Sequence, residues 1–333
     1  MRAWILLLVL LLLSATASAA DVCPRLGQQV SATDAATRIA AFACHEHGLW
    51  YRPFIDRNGR IASSTIMESE ALLLDDGESQ AWRRVARYWQ ESGLLPQVGQ
   101  LPGAVECESA ASGSYPSAGC RGFVIDNPWS AAFISWVMRK ASLPGFRASA
   151  SHITYVRDAY QRPESSAYQF VDLAHAQPAA GDMLCYVRHN HRLYGYAGLL
   201  SVVSSGNAGL DMHCEIVVAT NPGNDSTAYL IGGNVQQGVT MRLLPLNRKG
   251  EFWGLPQRTG GESLCAPDNE AACNFNRQDW AVLLKLKSAE ALAKLPGALA
   301  PAPMEPSGTQ ATRCCVHCVV GSGVPRCPPA GEP

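Results

Sequence analysis

Four residues have the types and spacing for nucleophilic chemistry: Ser130, His213, Glu215 and Asn234. Ser130 lies in DNPWSAAFISWVMRKA, residues 126–141, where Asn127 and Pro128 predict a helix start and Phe133, Ile134, Trp136 and Val137 recur at helical spacing. A hydroxyl in the first turn faces the positive end of the helix dipole, which lowers the cost of an anionic nucleophile or an oxyanion. His213 opens MHCEIVVAT, a β-branched stretch, and Glu215 falls on the same side of that strand because residues two apart share a face. Asn234 closes YLIGGN on the next strand. A helix nucleophile, a strand histidine and a polar third group suffice for acyl transfer: the histidine takes the proton and the third group orients its ring. Trp129 beside the nucleophile, and His152 and Tyr155 one turn apart on the following helix, are expected to line the cleft and bind substrate. The plainer alternatives are that Ser130 caps its helix and that His213 and Glu215 form a structural pair.

The elements needed to position these residues are readable. Helices are predicted over 31–47, 80–90, from the Asn127–Pro128 start to 141, and over 149–162, from their start signals and apolar periodicity. Residues 94–121, rich in Gly, Ser and Pro, read as a long surface loop. Short β-branched or alternating runs follow at 168–173, 182–188, 214–220, 227–231, 239–246 and 280–287, bounded by turn residues. Helices first and antiparallel strands afterwards describe an α+β architecture, the sheet packed against the helix of Trp129 and Trp136. Asp182, after Gly181, is expected to hold a turn.

Residues 1–19 read as a signal peptide: Arg2, the apolar run from Ile5 to Leu13, then Ala17-Ser18-Ala19. No other stretch is long enough to span a membrane, so stable insertion is not expected, and the destination is periplasmic or extracellular. All 12 cysteines follow the signal peptide, where oxidation favours pairing. Cys107 with Cys120 and Cys265 with Cys273 are the local candidates; Cys23 can reach Cys44, and Cys214 is a candidate partner of Cys185, otherwise a rival nucleophile. The organisation expected is a helical region with a loop over 20–119, an α+β domain over 120–290, a Pro/Ala linker over 291–312 and a Cys-rich tail over 313–333, with two disulfides preferred to a zinc site in the tail. The net charge of -1 and 17% charged residues, without a basic run, exclude a nucleic-acid binder. Arg188, His189 and His191 form a polar cluster that could contact an anionic ligand, but they lack the carboxylate or cysteine spacing of a metal site, and no metal or cofactor is expected.

On WSAAFISW, GDMLCYVR, HCEIVV and IGGN, the chain resembles the CHAP and NlpC-type peptidoglycan amidases over roughly residues 120–245. PWSAAFISWV, GDMLCYVR, HCEIVV and GGNVQQGVTMR together resemble more closely a bacterial family of unknown function that reads as a CHAP-like variant. The amidase resemblance implies a papain-like fold, with Ser130 at the cysteine position, His213 at the histidine and Asn234 at the asparagine. Two departures stand out: serine replaces the nucleophilic cysteine, and Gly232 stands where a glutamate is expected, a loss that Glu215 could make good. The function implied is an exported cell-envelope hydrolase that cleaves an amide of peptidoglycan, or a related acyl bond, with Ser130 as nucleophile and His213 as base. The alternative is a catalytically silent domain that binds cell-wall glycopeptide or a partner protein.

Overall fold

The computed structural model describes residues 21–111, 113, 117–188, 192–206, 208–263 and 265–297. The expected signal peptide, the linker beyond residue 297, the Cys-rich tail, His189 and His191 lie outside the described residues.

The chain runs α1 (Cys23–Leu26), α2 (Ala35–Leu49), β1 (Phe54–Ile55), β2 (Ile61–Ala62), α3 (Ala81–Glu91), α4 (Ala104–Ala110), α5 (Ala118–Asp126), α6 (Ser130–Lys140) and α7 (His152–Gln161). It continues with β3 (Tyr168–Val171), β4 (Met183–Val187), α8 (Gly195–Ser205), β5 (Met212–Thr220), β6 (Thr227–Val235), β7 (Gly238–Pro245), β8 (Asp279–Leu286) and α9 (Ala289–Leu292). The described strands form one eight-stranded sheet in the order β2-β1-β7-β6-β5-β4-β8-β3. Every pairing is antiparallel except β1 with β7. The α+β architecture therefore holds, and its helices cover mainly one face of the sheet.

Pleat parity sorts the side chains of the central strands. Met212, Cys214, Ile216 and Val218 of β5 join the main core with α2, α6 and α7, while Val217 joins a smaller cluster on the opposite face with Leu184, Tyr186, Leu230, Leu244 and Trp280. His213 and Glu215, at odd positions of β5, share the side of Val217. Cys214 is bonded to Cys185 directly across the β4–β5 pair. Cys23–Cys44, Cys107–Cys120 and Cys265–Cys273 are bonded as well, so the expected local pairs are all formed, and the four disulfides fit an oxidising compartment.

Residues 94–121 are not the expected surface loop. They contain a 3-10 turn at Leu95–Val98 and the helices α4 and α5, with Leu95, Val98, Ala104, Cys107 and Cys120 buried. The small residues that suggested a loop allow close packing instead: a Cβ on Gly103 would lie 1.9 Å from the carbonyl oxygen of Gly119. The helix expected to start at the Asn127 cap and Pro128 is present but opens two residues later than Pro128. Asn127 ends α5, its side-chain amide donating to the carbonyl of Phe123 at 2.8 Å, and α6 begins only at Ser130. Residues 291–297, at the start of the expected linker, sit on the core, where Gly145 donates to the carbonyl of Pro296 at 3.0 Å. No helix among the described residues is long and apolar enough to cross a membrane.

Candidate functional site

Ser130 occupies the first position of α6, and Trp129 at the cap position makes no side-chain capping bond. The first amide N–H groups of a helix have no intrahelical acceptor, so this end is a ready oxyanion site. The terminus is anchored from behind. Trp129 is wholly buried, stacked on Trp50 and Tyr88 with ring centroids 5.8 and 5.6 Å away, and its indole N–H donates to Glu68 Oε2 at 2.6 Å. Trp129 therefore packs the helix start and does not line the cleft. Asn234 locks the same point: with its amide oriented to suit both neighbours, its nitrogen donates to Glu68 Oε2 at 3.0 Å and its oxygen accepts from the Trp129 N–H at 3.2 Å. A bulge in the β6–β7 pairing between Gly232 and Val235, with Asn234 at φ 55, turns this side chain out of the ladder. Asn234 thus holds the helix start, whereas its place in the sequence suggests that it orients the His213 ring. Burial raises the pKa of Glu68, the bond from Trp129 opposing it.

The histidine on Ser130 is His152. Ser130 Oγ lies 2.7 Å from His152 Nε2, and the Tyr155 hydroxyl meets His152 Nδ1. All three are buried, Ser130 and His152 each 4% exposed. Burial, reinforced by the fields of His213 and Arg188, holds the His152 pKa well below the usual histidine value, so the ring is neutral. A neutral imidazole carries one proton. If Nδ1 bears it and donates to the Tyr155 oxygen, Nε2 is free to accept from Ser130, which is the tautomer a general base requires. His152 and Tyr155, expected to line the cleft and bind substrate, form a buried hydrogen-bonded chain with Ser130.

His213 does not bond Ser130. Pleat parity places it on the sheet face away from α6, and it meets His152 ring against ring with centroids 5.2 Å apart. His152, opening α7 on the helix side of the sheet, is the imidazole within reach of Ser130. His213 is 2% exposed, its Nε2 has no hydrogen-bond partner among the described residues, and Glu215 Oε1 is 3.6 Å away, too far for a hydrogen bond. Burial lowers the His213 pKa, and Glu215 only partly opposes it. Glu215 is claimed by Arg242 of β7: Nε lies 3.0 and 2.8 Å from the two carboxylate oxygens, and a second nitrogen donates at 2.9 Å. Burial alone would raise the Glu215 pKa, but Arg242 and His213 outweigh it and hold it at about 2.

The residue between these groups is Gly232. A Cβ there would lie 2.8 Å from Glu215 Cγ and 3.0 Å from His213 Nε2. The glutamate expected at that position is thus replaced by a space that Glu215 fills from the neighbouring strand, leaning toward Arg242 across β6.

A cleft of about 390 Å³ opens over His213, lined by Asn234, Tyr186, Arg188, Gln236, Arg242, Arg258 and Gln278 among others. Burial pushes the Tyr186 pKa up to about 12, with Arg242 opposing, so its hydroxyl stays protonated. Ser130 and His152 are not among the lining residues. No three His, Cys, Asp or Glu side chains among the described residues are placed to hold a metal ion.

Residues 76–286 match the bacterial family DUF2272, described as uncharacterized protein conserved in bacteria. The chain belongs to DUF2272. No curated protein and no solved structure matches it. The DUF2272 match takes in Ser130, His152, Tyr155, His213, Glu215, Asn234 and Arg242, whereas Glu68 lies before it. Sequence reasoning missed Glu68 and Arg242. VTMRLL carried a usable signal, because an arginine inside an otherwise apolar strand must have a buried partner. Glu68, in an irregular stretch, carried none.

Proposed function

We propose that this DUF2272 protein is an exported acyl hydrolase of the cell envelope, of papain-like, CHAP-like fold, with Ser130 as nucleophile. The observation that carries this reading is the 2.7 Å approach of Ser130 Oγ to His152 Nε2 at a helix start whose cap residue makes no side-chain capping bond. Ser130 Oγ attacks the acyl carbon while His152 Nε2 takes its proton, and the N–H groups opening α6 hold the oxyanion. The proton passes to the leaving amine or alcohol as the acyl-serine forms. Water then attacks the ester, an imidazole taking its proton, and Ser130 is released. His213, neutral and at the cleft floor, is placed to exchange protons with the leaving group or the water in the role the sequence gave it as base. Tyr155 fixes the His152 tautomer.

The order of elements supports the papain-like reading: a nucleophile opening a buried helix, followed by a set of antiparallel strands. Disulfides support an exported enzyme, for which an amide of peptidoglycan is the proposed substrate and an ester the nearest variant. The test is incubation of the mature protein with purified peptidoglycan and simple acyl esters, with mass analysis of the products. Turnover abolished by Ser130→Ala and by His152→Ala, with the double variant hardly worse than either, is the expected result. Inactivity of the wild type on every such substrate overturns it.

One observation favours a second reading. Ser130 and His152 do not line the cleft that His213 floors, as would suit a silent domain binding wall glycopeptide or a partner protein. Wall fragments retained with undiminished affinity by Ser130→Ala, without turnover by the wild type, would select it.

A further inference from the structure

The cleft over His213 has a charge imbalance that hydrolysis alone does not use. Arg188 lines it, together with the amides of Gln236 and Gln278, and no aspartate or glutamate is among its described lining residues; Arg258 borders it as well, in the field of the nearby Glu262. Arg242 also reaches it, but its charge is cancelled by Glu215, and its remaining contacts go to Asn276 Oδ1 at 2.9 Å and the carbonyl of Phe275 at 2.6 Å. Arg188 is exposed and stands one residue after β4, where the chain leaves the sheet at the cleft rim. At the floor, the imidazole of His213 is buried, and its Nε2 lacks a partner among the described residues. That nitrogen is turned toward Gly232 and Glu215, so it is the ring of His213, not its Nε2, that the cleft presents to a ligand.

We propose that this cleft is an oxyanion subsite, in which a carboxylate or phosphate group of the ligand is held by Arg188 at the rim and by the Gln236 and Gln278 amides, over the imidazole of His213. A guanidinium offers paired donors in the plane that such groups present, and side-chain amides add neutral donors without competing charge. In the hydrolase reading, on which the word substrate rests, the subsite selects acyl substrates that carry a negative group beside the scissile bond. A neutral acyl chain leaves Arg188 without a counter-charge among the described residues that line the cleft. The binding itself does not require Ser130.

The experiment is an NMR titration of the histidine ring signals of the mature protein with succinate, with inorganic phosphate and with neutral succinamide, at constant ionic strength. The expected result is a saturable shift of the His213 signals with succinate or phosphate at millimolar affinity. Succinamide should cause none, Arg188→Gln should weaken the effect at least tenfold, and Ser130→Ala should leave it intact. The tighter of the two anions tells carboxylate from phosphate. Absence of a saturable shift with both anions, or an equal response to succinamide, overturns the subsite whatever the enzyme assays find. A saturable shift in a protein without turnover would keep the subsite and end the hydrolase reading. Since Arg188 is a surface side chain, an unchanged spectrum elsewhere establishes that Arg188→Gln is folded.

Discussion

Gly232 and Glu215, on neighbouring strands, compete for one space: a Cβ on Gly232 would sit 2.8 Å from Glu215 Cγ and 2.9 Å from Val235 Cγ2. Gly232→Ala should therefore displace Glu215 or His213. Overpacking of this kind costs about 1–3 kcal/mol. A denaturant titration showing wild-type stability for Gly232→Ala would mean that the site has slack this geometry denies.

The Glu215–Arg242 pair is buried on both sides. Removing one partner strands the other charge, so Arg242→Met should lose about 3–5 kcal/mol of stability. Pairing it with Glu215→Gln should recover much of that loss, because no unpaired carboxylate remains. A double variant as unstable as the sum of the singles would show that the two side chains act independently.

Acid should destabilise the fold in two windows. Burial lowers the pKa values of His47, His152 and His213 below the ordinary histidine value of about 6.5, so the unfolded chain takes protons first. Their contribution is complete above about pH 6.5 and is lost as pH falls through the folded values. Glu215 is depressed from 4.5 to about 2, despite burial, chiefly by Arg242. Its contribution, on the order of 3 kcal/mol, is present above about pH 4.5 and is lost as pH falls toward 2. Melting temperatures should fall as the pH drops below about 6.5 and further below about 4.5. A midpoint that rises on acidification through pH 6 would contradict the buried neutral histidines.

Tyr155→Phe keeps the ring and removes the oxygen that meets His152 Nδ1. In the proposed enzyme, kcat should fall about tenfold or more with KM nearly unchanged, since the tautomer of the base is no longer held. A change confined to KM would assign Tyr155 to substrate contact.

Glu68 accepts from the Trp129 indole and, with the Asn234 amide, fixes the start of α6. Glu68→Ala leaves the buried indole N–H without its acceptor, a loss of about 1–3 kcal/mol. Glu68→Gln retains an acceptor and should lose less. Equal melting temperatures for wild type and Glu68→Ala would remove Glu68 from the anchoring of α6.

Much of this molecule was decided by local sequence. Apolar periodicity produced α2, α3, α6 and α7, alternation produced the central strands, and cysteine spacing within short segments produced Cys107–Cys120 and Cys265–Cys273. The placement of His213 and Glu215 on one strand face followed from the two-residue repeat alone. Tertiary structure decided which groups meet. Ser130 is paired with His152 because the face of a sheet on which a strand side chain emerges, and the side on which a helix packs, depend on how separate elements assemble. Glu68 is 61 residues from its partner Trp129, and Arg242 is 27 from Glu215. Local periodicity carries no information at such separations. The helices within 94–121 belong with them, since Gly and Ser favour loops locally and become helical here where a disulfide and close packing outweigh propensity.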